Sequence, residues 1–173
     1  MTNQTIEPAT AAAGQHLGGK YLTFALGDES YAVDVRKVRE IIRLTSITSV
    51  PQMPAFIRGV INLRGKIIPV IDLRVRFGLA DAATTDKTCI VVVQIQTNAH
   101  TRRETGLVVD NVEEVLNLSA NEIEETPDFG SQVDTEYLLG MAKIKGSVKM
   151  LLDLDRVLGN EELQALNQTA VAS

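Results

Sequence analysis

Five groups of residues in this chain have the chemical types that catalysis or ligand binding uses, and their spacing limits what each can do. The histidines are His16 and His100, and the single cysteine is Cys89. His16 lies in a polar, Ala- and Gly-rich N-terminus, and His100 sits among Asn, Thr and Arg at a hairpin tip. Neither has a packed shell to hold it as a general base or triad member. Two isolated histidines and one cysteine give no zinc-ligand spacing, so no metal site is expected. Cys89 opens the apolar run Cys89-Ile-Val-Val-Val93, which suits a buried, inert thiol better than a nucleophile. Gly59-x5-Gly65-Lys66 approaches a phosphate-binding loop, but its spacing is off by one residue. It also reads as a hairpin, whereas phosphate chemistry needs a loop leading into a helix N-terminus. Glu122, Glu124, Glu125 and Asp128 fall in one acidic stretch that reads as a solvated loop, with weak cation binding as the alternative. Asp72 and Asp153 read as helix caps rather than a catalytic pair. None of these groups makes an active site. No enzymatic activity and no cofactor are expected.

The elements that carry these residues are set by a duplication. Gly59 to Gly78 aligns without a gap on Gly140 to Gly159, 81 positions downstream, with five identities in twenty: both glycine pairs, both Asp-Leu pairs and the closing glycines. Chance would give roughly one. The match extends backwards, where Ala32-Val-Asp34…Val38-Arg-Glu40-Ile41 resembles Val108-Val-Asp110…Val112-Glu-Glu114-Val115. Each half reads as strand, turn, strand, a further strand, a proline-bearing loop, a hairpin and one helical turn. Duplicated halves bury like faces against each other, so the cleft between them is the first place to look for function.

Hydrophobic residues make up 45% of the 173, but aromatics only 4%, with no Trp, so the core must be Val, Ile and Leu. That favours strands. Tyr21 to Leu26 alternates as a half-buried strand, and Val38 to Arg43 continues as another. Val60 to Arg64 and Lys66 to Ile71 form a hairpin through Arg64-Gly65, and Pro69 places the returning strand at an edge or a bulge. Asp72 caps a turn ending at Gly78, and Asn160 to Leu166 reads as a short capped helix. Short strands and tight glycine turns argue for two five-stranded SH3-like β-barrel lobes. Lobe one is expected at about 30–85 and lobe two at about 86–155, with the first strand, 20–27, shared or exchanged. Residues 1–19 read as a disordered tail and 161–173 as a short helix and tail.

Net charge is +5 over Lys20 to Gly78 and −9 over Leu79 to Ser173, against −5 for the whole chain. Such poles orient a protein towards partners of either sign, or mildly favour docking of one lobe on the other. The cations of the first half spread over several strands and the nearby aromatics fit core positions, so no nucleic-acid partner is expected. No apolar run has the length needed to span a bilayer, and no secretory signal precedes the first strand. A single cysteine suits a reducing cytoplasm.

Val38-Arg-Glu40-Ile41, Pro54-Ala-Phe-Ile-Arg-Gly-Val-Ile-Asn-Leu-Arg-Gly65, Pro69-Val-Ile-Asp-Leu73, Gly106-Leu-Val-Val-Asp-Asn-Val-Glu-Glu-Val115 and Glu136-Tyr-Leu-Leu-Gly140 together resemble the CheW family of bacterial chemotaxis coupling proteins. The match runs from about Lys20 to Leu158. The resemblance implies a non-enzymatic adaptor, a CheW-like domain over 20–160 whose two barrels are intertwined. Its implied partners are the regulatory CheW-like domain of the histidine kinase CheA and the helical cytoplasmic tips of methyl-accepting chemotaxis receptors. The implied location is cytoplasmic, at receptor arrays on the inner face of the membrane. Carried over by position, the receptor-contacting groove falls on Val38, Glu40, Ile41, Arg64, Gly65, Gly106, Val112 and Val115. The kinase-facing positions are Ile47 and Gly59. The valines could instead be lobe core, and Arg64 could pair with Glu40. An adaptor of a non-motility chemosensory pathway, or a small-molecule-binding β-barrel module, remains the alternative.

Overall fold

The structure, a computed structural model, describes residues 18–79, 84–96, 102–127 and 137–158. The alternating Leu22, Phe24 and Leu26 form β1 (Gly19–Leu26), which turns at Gly27 and returns as β2 (Glu29–Asp34). The Asp34 carboxylate accepts the Arg36 N–H at 2.9 Å and starts a 3-10 turn, Val35–Lys37, that redirects the chain into β3 (Val38–Arg43). β4 (Ile57–Leu63) and β5 (Lys66–Asp72) make the expected hairpin, and α1 (Leu73–Arg76) follows as one helical turn. Then come β6 (Cys89–Gln96), β7 (Arg102–Val109), β8 (Asn111–Leu118), β9 (Ile123–Glu124), β10 (Leu138–Ile144), β11 (Ser147–Leu152) and α2 (Leu154–Leu158).

Hydrogen bonding sorts the strands into a six-stranded sheet, β8-β1-β2-β11-β10-β9, and a five-stranded sheet, β3-β6-β7-β5-β4. Sheet membership cuts across the lobe limits read from the sequence. β2 joins the strands of the second half, while β6 and β7 join β3 to β5. Two parallel pairings, β11 with β2 and β5 with β7, bring about this exchange. The duplication survives in the register. Val70 opposes Gly106, and its repeat equivalent Leu151 opposes Ala32. β3 and β8 each carry one bulged residue, Arg39 and Glu113, against their partners β6 and β1.

The fold is mostly β with little helix, as composition required. Of the two expected five-stranded SH3-like lobes the structure shows two sheets, and no closed barrel among the described residues. Among the described residues the terminal strands of neither sheet hydrogen-bond to each other, and one sheet has six strands. The sixth, β9, lies in the stretch expected to be an acidic loop. It pairs through Glu124 with Met141 and Ile123 with Ala142, and Glu122 closes a capping box with Ser119. A two-residue strand has no alternation to read, so only its partner reveals it. Its counterpart in the other sheet is a single bridge, Thr48 to Val60.

Three apolar clusters form. One lies between the sheets and takes residues from both, including Leu22, Phe24, Val91, Val93, Leu107 and Leu152. A second belongs to the five-stranded sheet alone (Ile61, Ile68, Val70, Ile90, Val92, Val108), and a third to the six-stranded sheet (Tyr21, Ala32, Leu118, Ala142, Leu151). Each sheet thus buries one face against its own cluster and the other against the shared one, as a duplicated unit should.

Pro69 does not mark an edge, and the other alternative, a bulge, is met one pair away, where the β4–β5 register shifts between Ile57 and Gly59. β5 is interior, between β4 and β7, but its pairing to β7 begins only at Val70. Opposite Pro69, Val60 spends both backbone groups on Thr48 at 2.8 Å. The proline's missing N–H therefore leaves no ladder bond unmade. Asp72 caps α1 by accepting the Arg74 N–H at 3.0 Å, and Gly78 follows the turn at φ +72°, both as expected. The segment expected to be a C-terminal helix, most of the N-terminal tail, and His16 and His100 lie outside the described residues.

Candidate functional site

The bulges at Arg39 and Glu113 decide which side chains face the space between the sheets. Without them, strict alternation would put residues three apart on opposite faces of a strand. With them, Val38 opposes Val93 and Ile41 opposes Val91, while Val112 opposes Phe24 and Val115 opposes Leu22. All four partners belong to the shared core. Val38 and Val112 are half-buried and pack on that core. Ile41 and Val115 continue the same stripe into solvent, 45% and 52% exposed. Ile67 and its repeat equivalent Val148 are exposed too, at 64% and 44%, but on the β5 and β11 hairpin strands.

Glu40 and Ile42 point the other way, opposite Val92 and Ile90 of the five-stranded sheet's own core. Glu40 meets Arg64, whose guanidinium donates to both carboxylate oxygens, one of them at 3.1 Å. Those hydrogen bonds hold the Glu40 carboxyl below the usual carboxylate range. The sequence had left open whether the two residues pair or face a partner, and they pair. The bond joins β3 to the β4–β5 hairpin, the two opposite edges of one sheet, so that sheet curls. Glu104 on β7 extends the cluster towards Lys66 (3.5 Å) and Arg39 (3.8 Å). Arg64 and Gly65 both hold positive φ, +52° and +86°, and Asn62 Oδ1 accepts the Gly65 N–H at 2.9 Å. Lys145-Gly146 repeats this turn at +51° and +82°. Such turns match the twist of a hairpin.

Gly106 and Gly59 stand apart from this surface. Gly106 is buried, and a Cβ there would lie 2.7 Å from Ile90 Cγ2, so its place is in the packing of the sheet and not at the surface. Gly59 is also buried, and its backbone lies close against this chain's own Thr48. Ile47 is half-buried against the five-stranded sheet's own core. The eight groove positions therefore divide into an apolar stripe (Val38, Ile41, Val112, Val115), a charged hairpin corner (Glu40, Arg64, Gly65) and a packing glycine (Gly106).

Sequence reasoning missed the contacts that hold the two sheets together. Arg74, 4% exposed, donates to Asp72 at 2.9 Å and to Asp110 at 3.0 Å. Asp110 in turn accepts the Gly27 N–H at 2.7 Å, which ties α1 to the β7–β8 bend and the β1–β2 turn. The signal available was an arginine two residues after a capping aspartate, which local rules assign to solvent.

Among the described residues no group of His, Cys, Asp and Glu side chains could hold a metal. Cys89 is half-buried, not buried as expected, and the desolvation it does undergo raises the thiol pKa above its usual range. A cavity of about 390 Å³ lies between the β1–β2 turn and the β10–β11 hairpin. Its lining includes Asp28, Glu29, Glu113 and Lys149, whereas small-molecule pockets are mainly apolar.

Comparison with known proteins follows the same lines. The family model described as CheW-like domain matches residues 20–162. A chemotaxis protein CheW of Klebsiella aerogenes is 37% identical over 158 residues, covering 91% of this chain and 92% of that one. Its counterpart in Rhizobium meliloti is 36% identical over 156 residues, covering 88% and 97%. The crystal structure of the scaffolding protein TtCheW from Thermoanaerobacter tengcongensis superposes with a TM-score of 0.73 at 35% identity, over 84% of this chain and 96% of that one.

Proposed function

The chain belongs to the CheW-like domain family, and from that premise we propose how its groove and its charged corner serve an adaptor. The protein is a chemotaxis coupling adaptor that links chemoreceptors to the histidine kinase CheA, and it is not an enzyme. The finer assignment is ours. The stripe of Val38, Ile41, Val112 and Val115 receives the apolar face of a helix from the cytoplasmic tip of a methyl-accepting receptor. Glu40 and Arg64, already paired, exchange part of that pairing for charged hydrogen bonds to the helix and fix its orientation. Ile47 and Gly59 lie where the segment before β4 folds over the five-stranded sheet, and this surface takes the regulatory domain of CheA. The two sheets, each with a core of its own, act as SH3-like barrel walls. No described helix is long and apolar enough to cross a membrane, and the proposed location is cytoplasmic, at receptor arrays. An adaptor shifts a kinase only by as much as its binding differs between two receptor states, and arrays multiply such modest differences.

The observation that carries the groove assignment is the exposed pair Ile41 and Val115, which equivalent bulges set on the shared-core side of β3 and of β8. Both are surface residues, so Asp tolerates either place without collapse of the core. The double variant Ile41→Asp/Val115→Asp is expected to lose roughly 30-fold or more in affinity for a soluble receptor cytoplasmic fragment, as truncation of buried interface anchors does. Its binding to CheA should stay within about twofold. Titration calorimetry against each partner separately decides the matter. Unchanged receptor affinity in the double variant means the helix docks elsewhere.

A further inference from the structure

We propose that Arg76 is a positioning residue for the groove: its guanidinium, clasped between the Phe56 and Tyr137 rings, fixes one sheet relative to the other and so sets the spacing of the β3 and β8 stripes. The guanidinium carbon lies 4.8 Å from the Phe56 ring centroid and 4.9 Å from that of Tyr137. These rings occupy equivalent places in the repeat, 81 residues apart. Phe56 leads into β4 and Tyr137 into β10, so each sheet contributes one ring. Their carbonyls accept the N–H groups of Asp72 (2.8 Å) and Asp153 (2.7 Å), which anchors each ring to its own helical turn. Arg76 Nη2 also donates to the Tyr137 hydroxyl. Phe77, next in the chain, stacks on Tyr31 at 5.6 Å and meets Tyr137 at a tilt, centroids 6.1 Å apart.

A second observation points the same way. The Arg76 Nε is buried with no hydrogen-bond partner. Guanidinium groups ordinarily settle where their donors are satisfied. This one forgoes a donor while keeping both ring faces, so the rings set its place. Arg76→Met then removes an unpaired buried donor together with two cation–π contacts, and these changes oppose each other in folding free energy. What it removes without compensation is one polar link between the sheets, another running from Arg74 through Asp110 to the Gly27 N–H. The four stripe residues oppose members of the shared core, and Phe56, Phe77 and Tyr137 pack on that same core. A change in the seating of one sheet is therefore a change in groove width.

The functional consequence rests on the groove reading above, but the geometry does not. Nitroxide labels at Arg43→Cys and Asn117→Cys, exposed positions on β3 and β8, report the spacing in the full-length chain carrying Cys89→Ser. Pulsed EPR is expected to give one narrow distance distribution with Arg76, a broadened or displaced one with Arg76→Met, and an intermediate one with Arg76→Lys. Thermal midpoints should stay within a few degrees of one another. In the unlabelled chain, affinity for a receptor cytoplasmic fragment should fall about tenfold with Met and less with Lys. Should Arg76→Met unfold, Phe56→Leu removes one ring, keeps the cation and is read the same way. An unchanged distribution overturns the proposal. If the chain with Arg76 intact bound no receptor fragment, the groove reading would fall, and the distance measurement would still decide the role of Arg76.

Discussion

Arg74→Met is expected to lose about 3–5 kcal/mol of folding stability at neutral pH, the usual result of removing one partner from a buried ion pair. Domains of this kind are stable by roughly 5–15 kcal/mol in all, so the variant should sit near the edge of folding. Asp72 is 2% exposed and Arg74 4%. Loss of the guanidinium leaves the Asp72 carboxylate with Arg58, at 2.9 Å, and leaves Asp110 with the Gly27 N–H. Burial by itself raises the Asp72 pKa, but the hydrogen bonds and charge of Arg74, helped by Arg58, outweigh it and hold the carboxyl below its usual range. A depressed folded-state pKa contributes stability above the unfolded value, near 4, and that contribution disappears as pH falls through the folded value. The difference between the parent chain and Arg74→Met should therefore be widest at pH 7 and narrow below pH 4. Urea unfolding at pH 7 and at pH 3.5 measures both. A loss under 1 kcal/mol at pH 7, or an equal loss at the two pH values, would contradict the buried bridge.

Gly59→Ala is the second severe substitution. Its φ is +139°, and a Cβ would fall 1.9 Å from the Thr48 carbonyl oxygen and 2.7 Å from the Thr48 carbonyl carbon. Both obstacles are backbone, and that backbone is held by the Thr48–Val60 bridge, so the clash has no side chain to absorb it. Strain at such a position, added to a broken bridge, is expected to cost about 3 kcal/mol or more. Gly65→Ala provides the contrast. Its φ is +86° but nothing lies within 4 Å of the added carbon, so it should cost only roughly 1–2 kcal/mol of backbone preference. Gly140, the repeat equivalent of Gly59, should fall between, since its nearest neighbour, the Glu124 carbonyl oxygen, lies 2.7 Å away. Thermal unfolding of the three alanine variants gives the order. The result bears on function too: if Gly59→Ala fails to bind CheA, the cause is displacement of Thr48 and its flanks unless the variant proves as stable as the parent chain. A fully stable Gly59→Ala would show the close approach to be wrong.

How far the candidate site could be read from the chain depends on the scale of each feature. The repeat aligned Val38 with Val112, Glu40 with Glu114 and Ile41 with Val115, and the registers keep that equivalence: the first three oppose Val93, Val92 and Val91 of β6, the second three Phe24, Thr23 and Leu22 of β1. Asp72 was recognised as a cap because capping is local. Its more consequential role, as the buried partner of Arg74 and Arg58, involves groups that converge only after folding. Likewise Pro69 obeyed the rule that proline cannot donate, yet its strand is interior, because Val60 turns its backbone groups towards Thr48.

The sequence by itself determined the strand content, the tight Gly turns and the duplicated plan, since each follows from composition or from spacing within a few residues. Tertiary structure decided which strands share a sheet, that Gly106 and Gly59 are buried, and that Ile41 and Val115 look outward from the seam between sheets. The physical reason is that a strand's alternation fixes its two faces but not its neighbour. Partner choice comes from long-range packing, and a single bulged residue, Arg39 or Glu113, reverses which face a side chain takes.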